Sequence, residues 1–267
     1  MGVGRREGSG MSVVEIERPR GDVVVLRLNR PEKLNAIDGP MIEALEAWVE
    51  IVEADRSIRV AILTGSGKAF SAGGDIEAWA GLDPIDFARR WIREGHRVFD
   101  RLARLRQPLI VALNGHAFGG GLELAVTGDL IIAASGARLG LPETGLGMTP
   151  GWSGTQRLVR RCGSRLVKRM ALAGRMLSAE EALAGGLVDE VAPAGEALAR
   201  AKSLATDIAA RGPVAVQIVK QLINAAEGEE RDSAMESLAG AYVGFTEDLK
   251  EGVASFREKR RPRFIDR

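Results

Sequence analysis

Short runs of β-forming residues alternate with segments of helical periodicity, and this alternation limits the possible folds more than any other feature of the chain. Residues 22–28 (DVVVLRL) and 60–64 (VAILT) are strand-like runs that end in turn-prone residues. Between them, apolar residues recur at helical spacing. The apolar run 108–115 (PLIVALNG) follows a predicted helix over 84–105. Strands that alternate with helices predict an α/β layered fold.

Helical patterns predominate after about residue 174. Ser178 and Glu181 have the spacing of a capping box and predict a short helix, which ends at Gly185 and Gly186. An α/β body therefore precedes an all-helical end. Further helices are predicted over 194–210 and 214–226, and a last one carries apolar residues at steps of three and four, namely Leu238, Tyr242, Phe245, Leu249, Val253 and Phe256.

Charge and cysteine content limit the partners and the compartment. The 37 basic and 36 acidic residues nearly cancel, so no general field favours nucleic acid or an anionic membrane. Cys162 is the only cysteine, which excludes an intramolecular disulfide and a cysteine zinc cluster and predicts a reducing compartment, the cytoplasm. No apolar run reaches the roughly 18 residues that a membrane span needs. The polar first residues, MGVGRREGSG, are predicted to be a flexible extension.

Two glycine-rich turns stand out because consecutive glycines lower the stability of a helix. The stretch 116–125 (HAFGGGLELA) places three glycines before Glu123, and 69–76 (AFSAGGDI) is similar. Such turns between a strand and a helix leave backbone N–H groups free at a helix N-terminus. Gly74 and Gly120 are therefore candidates for an oxyanion hole, which would stabilise an enolate or a tetrahedral oxyanion. The alternative is that both are ordinary tight turns.

Two glutamates are the candidate acid and base. Glu123 lies in an apolar run, and Glu143 lies in the turn LPETG, so they cannot share one helix face. If the fold brings them together in an apolar pocket, at least one pKa rises, and one carboxyl can be protonated while the other is ionised. Addition of water to an activated double bond needs such a pair. The alternatives are an exposed turn residue for Glu143 and a structural ion pair with arginine for Glu123.

Four segments together resemble the crotonase superfamily, from about Val13 to the C-terminus. They are LNRPEKLNAI, AFSAGGDI, NGHAFGGGLEL and LGLPETGLGMTPGWSGTQRL. The resemblance implies an α/β fold, a crotonase-like spiral of ββα units with a C-terminal helical region that forms trimers, often paired into hexamers. We accordingly divide the chain into a flexible extension (1–11), a spiral core with the active site (12–200) and a C-terminal helical region (201–267).

The resemblance also implies roles for individual residues. The amides of Gly74 and Gly120 would hold the thioester oxygen, Glu123 would be the base that activates water, and Glu143 the acid that protonates the α-carbon. The implied activity is that of an enoyl-CoA hydratase, a hydro-lyase. No metal or redox cofactor is implied, and coenzyme A is part of the substrate. Coenzyme A would lie along Lys33, Leu34, Ala36, Ala72, Asp75 and Ile76, with Phe256 and Lys259 reaching the nucleotide end of CoA bound in a neighbouring subunit.

Some residues depart from the family pattern or remain open. Trp152 and Ser153 stand where many members have small residues, so Trp152 either reshapes the acyl pocket or fills core space. Neither His96 nor His116 has a metal-ligand or triad spacing, and we assign neither a catalytic role. A basic cluster in the tail predicts either a phosphate site or a solvated charge run, and comprises Arg257, Lys259, Arg260, Arg261 and Arg263.

Two other functions remain open on the sequence. Superfamily relatives that isomerise double bonds or hydrolyse thioesters keep the oxyanion hole but often lack one of the two glutamates. A protein of the same fold that binds RNA or acyl-CoA without turnover would need neither glutamate. The nearly neutral charge and the presence of both Glu123 and Glu143 favour the hydratase.

Overall fold

A computed structural model describes residues 13–229, 240 and 243–267 of the chain. The predicted extension, and Leu238 and Tyr242 of the last predicted helix, lie outside the described residues. The chain divides into two compact units, one ending at Gln217 and one beginning at Ile218. None of the described helices is both long and apolar enough to cross a membrane.

Two sheets form the strand layers of the first unit. The six-stranded sheet has the order β1-β2-β3-β5-β7-β10, and all its pairs are parallel except β1–β2. The four-stranded sheet has the order β4-β6-β8-β9, with only β8–β9 antiparallel. The strands are β1 Val14–Arg20, β2 Val23–Leu28, β3 Val60–Gly65, β4 Ala69–Ser71, β5 Leu109–Leu113, β6 His116–Phe118, β7 Leu130–Ala134, β8 Arg138–Gly140, β9 Leu177–Ser178 and β10 Glu190–Ala192.

Helices connect the strands and make up the C-terminal part. Short 3-10 turns at Pro31–Lys33 and Glu143–Leu146 interrupt the connections. The α-helices are α1 Gly39–Ala54, α2 Ile76–Trp79, α3 Pro84–Asp86, α4 Arg93–Ala103, α5 Gly120–Ala125, α6 Gly154–Ala173, α7 Ala179–Ala184, α8 Ala197–Ala209, α9 Pro213–Ala226 and α10 Glu247–Arg257.

The strand order makes the first unit a spiral. In three successive steps, β3 to β4, β5 to β6 and β7 to β8, a strand of the large sheet leads directly into a strand of the small sheet. Helical segments then return the chain to the large sheet after β4 and after β6. The spiral of ββα units is thus confirmed, and it brings the ends of β4, β6 and β8 side by side.

The core follows from the apolar patterns. The predicted apolar face of α1, which includes Met41, Leu45 and Trp48, is fully buried, and the Asp38 side chain caps the helix by accepting from the Met41 N–H at 3.0 Å. On the other side of the large sheet, α8 presents an alanine at every fourth position, which lets the helix lie close to β2, β3 and β5. The α1 and α8 layers therefore bury the apolar side chains of the large sheet.

Two local features were not predicted. The predicted helix over 84–105 is confirmed over residues 84–103, but a π-helical segment at Phe87–Ile92 lies between α3 and α4. The wider π turn rotates the helix face, and Trp91 is buried within it. Strands also continue beyond residue 174, as β9 and β10, which are too short for a periodicity signal.

Candidate active site

The two predicted oxyanion glycines lie side by side at one cavity of about 120 Å³. Gly74 forms an isolated parallel bridge with Ile37. The hydrogen bonds of this bridge use the Gly73 carbonyl and the Asp75 N–H, so the Gly74 N–H takes no part in the pairing. Gly120 is the first residue of α5, and its N–H therefore has no acceptor within the helix. A Cβ at Gly120 would lie 3.3 Å from the Gly74 nitrogen. The two backbones approach each other as an oxyanion hole requires.

Glu123 projects from α5 to the same cavity and is only 2% exposed. Its carboxylate accepts from the N–H groups of Trp152 and Gly154, both at 2.9 Å, and of Gly151 at 3.3 Å. Burial raises the pKa of Glu123, while these three N–H groups act to lower it. Among the described residues the Glu123 carboxylate has no arginine partner. Backbone N–H groups hold it, and the alternative of a structural ion pair with arginine is therefore wrong.

Glu143 lines the cavity from the first position of the turn Glu143–Leu146. Both carboxyl oxygens are buried, and neither has a hydrogen-bond partner among the described residues. Burial, with the neighbouring Glu123 charge, raises the pKa of Glu143 to about 7. The Gly119 backbone lets this carboxyl approach, because a Cβ there would lie 3.0 Å from Oε1. The exposed-turn alternative for Glu143 is therefore excluded, and the two glutamates have different surroundings.

Trp152 closes one side of the cavity and is buried. Its indole packs against Trp91 and Phe99, with ring centroids 5.1 Å away in each case, and its Nε1–H donates to the Trp91 carbonyl at 3.2 Å. Gly95 in α4 makes room for the ring, since a Cβ there would lie 2.5 Å from Cε2. Trp152 thus both fills core space and lines the cavity.

The residues predicted to lie along coenzyme A divide into three groups. Ala72 and Ile76 line the cavity. The side chains of Lys33 and Asp75 are engaged elsewhere: Lys33 pairs with Glu77 at 2.6 Å, and Asp75 caps α2 and pairs with Arg30 at 2.9 Å. Leu34 and Ala36 lie on the loop between the Pro31–Lys33 turn and α1. This loop is joined to the cavity segment by the Ala72 N–H, which donates to the Leu34 carbonyl at 3.0 Å.

The predicted nucleotide-end residues lie in the second unit. Phe256 is the penultimate residue of α10 and is 85% exposed, and Lys259 follows that helix with a φ of 53°. The basic cluster is partly neutralised within this unit, because Arg260 pairs with Glu251 and Glu258, both at 2.5 Å. These ion pairs weaken the expectation that all five basic residues form one phosphate site.

A polar cluster that was not predicted from the sequence includes Ser153, the residue after Trp152. Ser153, His96, Asp100 and Arg157 contact one another where α4 meets the start of α6. His96 and Asp100 are four residues apart on α4, which was the available signal, but only the fold brings Ser153 to them. No group of three or more His, Cys, Asp or Glu side chains suited to a metal ion occurs in the described part of the chain.

Comparison with known proteins identifies the family of the chain. A family model described as enoyl-CoA hydratase/isomerase matches residues 18–267, and the chain belongs to that family. It is 40% identical to the short-chain-enoyl-CoA hydratase of Clostridium acetobutylicum over 90% of this chain and 93% of that protein. It is 38% identical to the crotonyl-CoA hydratase of Syntrophomonas wolfei over 92% and 95%. The crystal structure of enoyl-CoA hydratase from Bacillus anthracis matches with a TM-score of 0.79 and 36% identity, covering 94% of this chain and 98% of that one.

Proposed function

We propose that the protein is an enoyl-CoA hydratase, which adds water to a trans-2-enoyl-CoA and gives a 3-hydroxyacyl-CoA. The observation that carries the proposal is the meeting of Glu123, Glu143 and the amides of Gly74 and Gly120 at one cavity. The similar proteins of Clostridium acetobutylicum and Syntrophomonas wolfei are a short-chain-enoyl-CoA hydratase and a crotonyl-CoA hydratase, which supports this proposal.

The reaction follows from the different surroundings of the two carboxyls. The amides of Gly74 and Gly120 receive the thioester oxygen and stabilise the negative charge that develops on it. Glu123, which three N–H groups favour as an anion, takes a proton from water as the water oxygen bonds to the β-carbon. Glu143, whose raised pKa keeps much of it protonated near neutral pH, delivers a proton to the α-carbon. The two carboxyls then exchange a proton through solvent, which restores the starting state.

Coenzyme A is proposed to lie along the residues from Lys33 to Ala36 and from Ala72 to Ile76. Because the side chains of Lys33 and Asp75 are paired, we infer that backbone groups and apolar contacts of this surface make most of the interaction. Ala72 and Ile76 connect it to the cavity. Phe256 and Lys259 are proposed to contact the nucleotide end of CoA bound in a neighbouring subunit.

A short acyl chain is the proposed specificity. Aromatic and aliphatic side chains line the cavity beyond the glutamates, and Trp152 occupies space that a longer chain would need. Trp152 is held on three sides, by Trp91, Phe99 and the backbone of Gly95, so it cannot move aside readily. We therefore expect crotonyl-CoA to be preferred over enoyl-CoA of ten carbons or more.

We also propose a homotrimer or homohexamer that works in the cytoplasm, in fatty-acid β-oxidation. The second unit supports self-association because it exposes large apolar side chains, including Phe245, Leu249 and Val253. Sedimentation measurements on the purified protein would show a species of three or six chains. A monomer at micromolar concentration would contradict this part of the proposal.

The proposed reaction is tested by the loss of absorbance at the conjugated thioester band of crotonyl-CoA. Wild type is expected to hydrate the substrate, and Glu123→Gln and Glu143→Gln are each expected to lose about a hundredfold or more of kcat. Glu43→Gln, an exposed glutamate of α1, is the matched control and retains wild-type rate. A product with a moved double bond would instead indicate an isomerase, and release of free CoA would indicate a hydrolase.

A further inference from the structure

Three N–H donors of the segment Gly151–Gly154, those of Gly151, Trp152 and Gly154, determine how Glu123 is held. The Trp152 and Gly154 N–H groups lie 2.9 Å from Oε1, and the Gly151 N–H lies 3.3 Å from Oε2. Since backbone donors cannot rotate independently, any change in the conformation of this turn changes their distances to the carboxylate. The turn therefore controls both the direction of Glu123 and its preference for the charged form.

Ser153 is the one residue of this turn in an unfavourable backbone conformation. Its φ is 66° and its ψ is 8°, the left-handed region in which a glycine meets no Cβ clash and a serine does. A serine in this conformation is retained only where surrounding contacts hold it there. We therefore infer that contacts of the Ser153 side chain stabilise the conformation of the turn.

The Ser153 hydroxyl is held by a polar cluster on α4. Its Oγ lies 3.1 Å from Asp100 Oδ1 and 2.9 Å and 3.0 Å from the two ring nitrogens of His96. Asp100 is itself anchored, because the buried Arg157 donates to Oδ1 at 2.7 Å and His96 Nε2 lies 3.3 Å from Oδ2. Arg104 lies 3.8 Å from Oδ2. The cluster ties the turn to α4 and to the first helical turns of α6.

A serine, a histidine and an aspartate in contact also suggest a nucleophile, but the geometry excludes that role. Gly151 and Trp152 line the cavity, whereas Ser153, His96 and Asp100 are not among the described residues that do. An oxygen at nearly equal distance from both ring nitrogens lies over the face of the imidazole, where it cannot pass its proton to a nitrogen lone pair. The hydroxyl donates to Asp100 instead.

We propose that Ser153, held by Asp100 beside the His96 ring, is a positioning residue that keeps the Gly151–Gly154 turn in the conformation in which its N–H groups hold Glu123 for the attack of water. This inference rests on the proposed hydration reaction for its kinetic consequences. The geometry of the turn and the carboxylate is independent of that reaction, which allows the two to be tested separately.

Ser153→Gly separates positioning from folding. Glycine removes the hydroxyl but accepts the positive φ, so the melting temperature is expected to stay at or above that of wild type. The kcat for crotonyl-CoA is expected to fall about tenfold to a hundredfold with KM within twofold, because the carboxylate is no longer held in one direction. The acidic limb of the kcat/KM profile is expected to move to higher pH, because looser N–H donors favour the anion less.

Ser178→Ala is the matched control, since Ser178 is the N-cap serine of α7 and lies outside the cavity lining. It is expected to lower the melting temperature and leave the pH profile unchanged. Wild-type kcat and an unmoved acidic limb in Ser153→Gly would overturn the proposal.

An infrared titration of the Glu123 carboxylate, assigned by its loss in Glu123→Gln, provides a readout that needs no turnover. The proposal predicts a higher titration midpoint in Ser153→Gly than in wild type, and equal midpoints would overturn it whatever the reaction. Absence of hydration by folded wild type would instead count against the proposed function. The two failures are therefore distinguishable.

Discussion

Replacement of Gly95 by alanine is the change that most directly tests the packing around the cavity. A Cβ at this position would lie 2.5 Å from Cε2 and 2.8 Å from Cδ1 of Trp152, and still closer to Nε1. The indole cannot move away easily, because Trp91 and Phe99 flank it at 5.1 Å between ring centroids. We expect it to be displaced towards the cavity, where it competes with the acyl group.

The size of the effect can be worked out from three contributions. Overpacking costs about 1–3 kcal/mol. Loss of the hydrogen bond from Nε1 to the Trp91 carbonyl costs about 1–3 kcal/mol if the N–H stays buried. Replacing glycine by alanine in a helix offsets about 1 kcal/mol of this. The net loss is about 3 kcal/mol, which corresponds to roughly 6–12 °C in the melting temperature of a chain of this size.

Urea unfolding followed by circular dichroism, at one protein concentration, measures this loss. Gly252→Ala in α10 is the matched control, since its Cβ would meet only Phe264 at an ordinary 3.7 Å, and it is expected to be neutral or slightly stabilising. The double variant with Trp152→Phe is expected to recover at least half of the loss, because phenylalanine lacks the clashing part of the indole. A Gly95→Ala protein as stable as wild type, or one that Trp152→Phe does not rescue, would refute the reasoning.

Three further predictions concern the glutamates and the loop beside them. The pKa of Glu143 lies near 4.5 when it is unfolded and at about 7 in the fold, so the folded state binds more protons between these values and stability falls as pH rises through this range. Glu143→Gln should remove that decline, and equal slopes for both proteins in urea unfolding at pH 5 to 8 would contradict the assignment. Gly154→Ala places a Cβ 2.7 Å from Glu123 Cβ and 2.8 Å from Oε1, and it should lower kcat by about a hundredfold or more. Gly39→Ala, where a Cβ meets nothing within 4 Å, should not change kcat, and similar rates for both variants would argue against a fixed Glu123. Arg30→Met leaves Asp75 without the guanidinium 2.9 Å away and should cost about 3 kcal/mol and raise KM for acyl-CoA. The exposed pair of Arg18 with Asp55 is the control, since Arg18→Met should cost clearly less in the same unfolding experiment, and equal losses would show that the Arg30 pair is also solvated.

Local patterns predicted most of the secondary structure of the spiral. The α1 face and the capping box of α7 could be read from spacing, because both depend on residues within a few positions of each other. The π-helical segment at Phe87–Ile92, within the predicted helix over 84–105, could not, because the spacing of apolar residues does not distinguish a π turn from an α turn.

Only some residues of the cavity could be predicted from local sequence. Gly74, Gly120 and Glu123 lie in two segments whose glycines and buried carboxyl are locally unfavourable, which marks them from the sequence alone. The N–H groups that hold Glu123, and the glycine that admits the Trp152 ring, lie far away along the chain. Ser153 and His96 likewise meet only after α4 packs beside the start of α6, so the spacing of the two histidines carried no sign of their environment.

Activation of water by Glu123 is tested most directly with crotonyl-CoA in water enriched in oxygen-18, by measuring the mass of the product for wild type and Glu123→Gln. We expect one heavy oxygen in the 3-hydroxyacyl product of wild type and about a hundredfold less of that product with Glu123→Gln. A product without heavy oxygen, or undiminished incorporation by the variant, would contradict it.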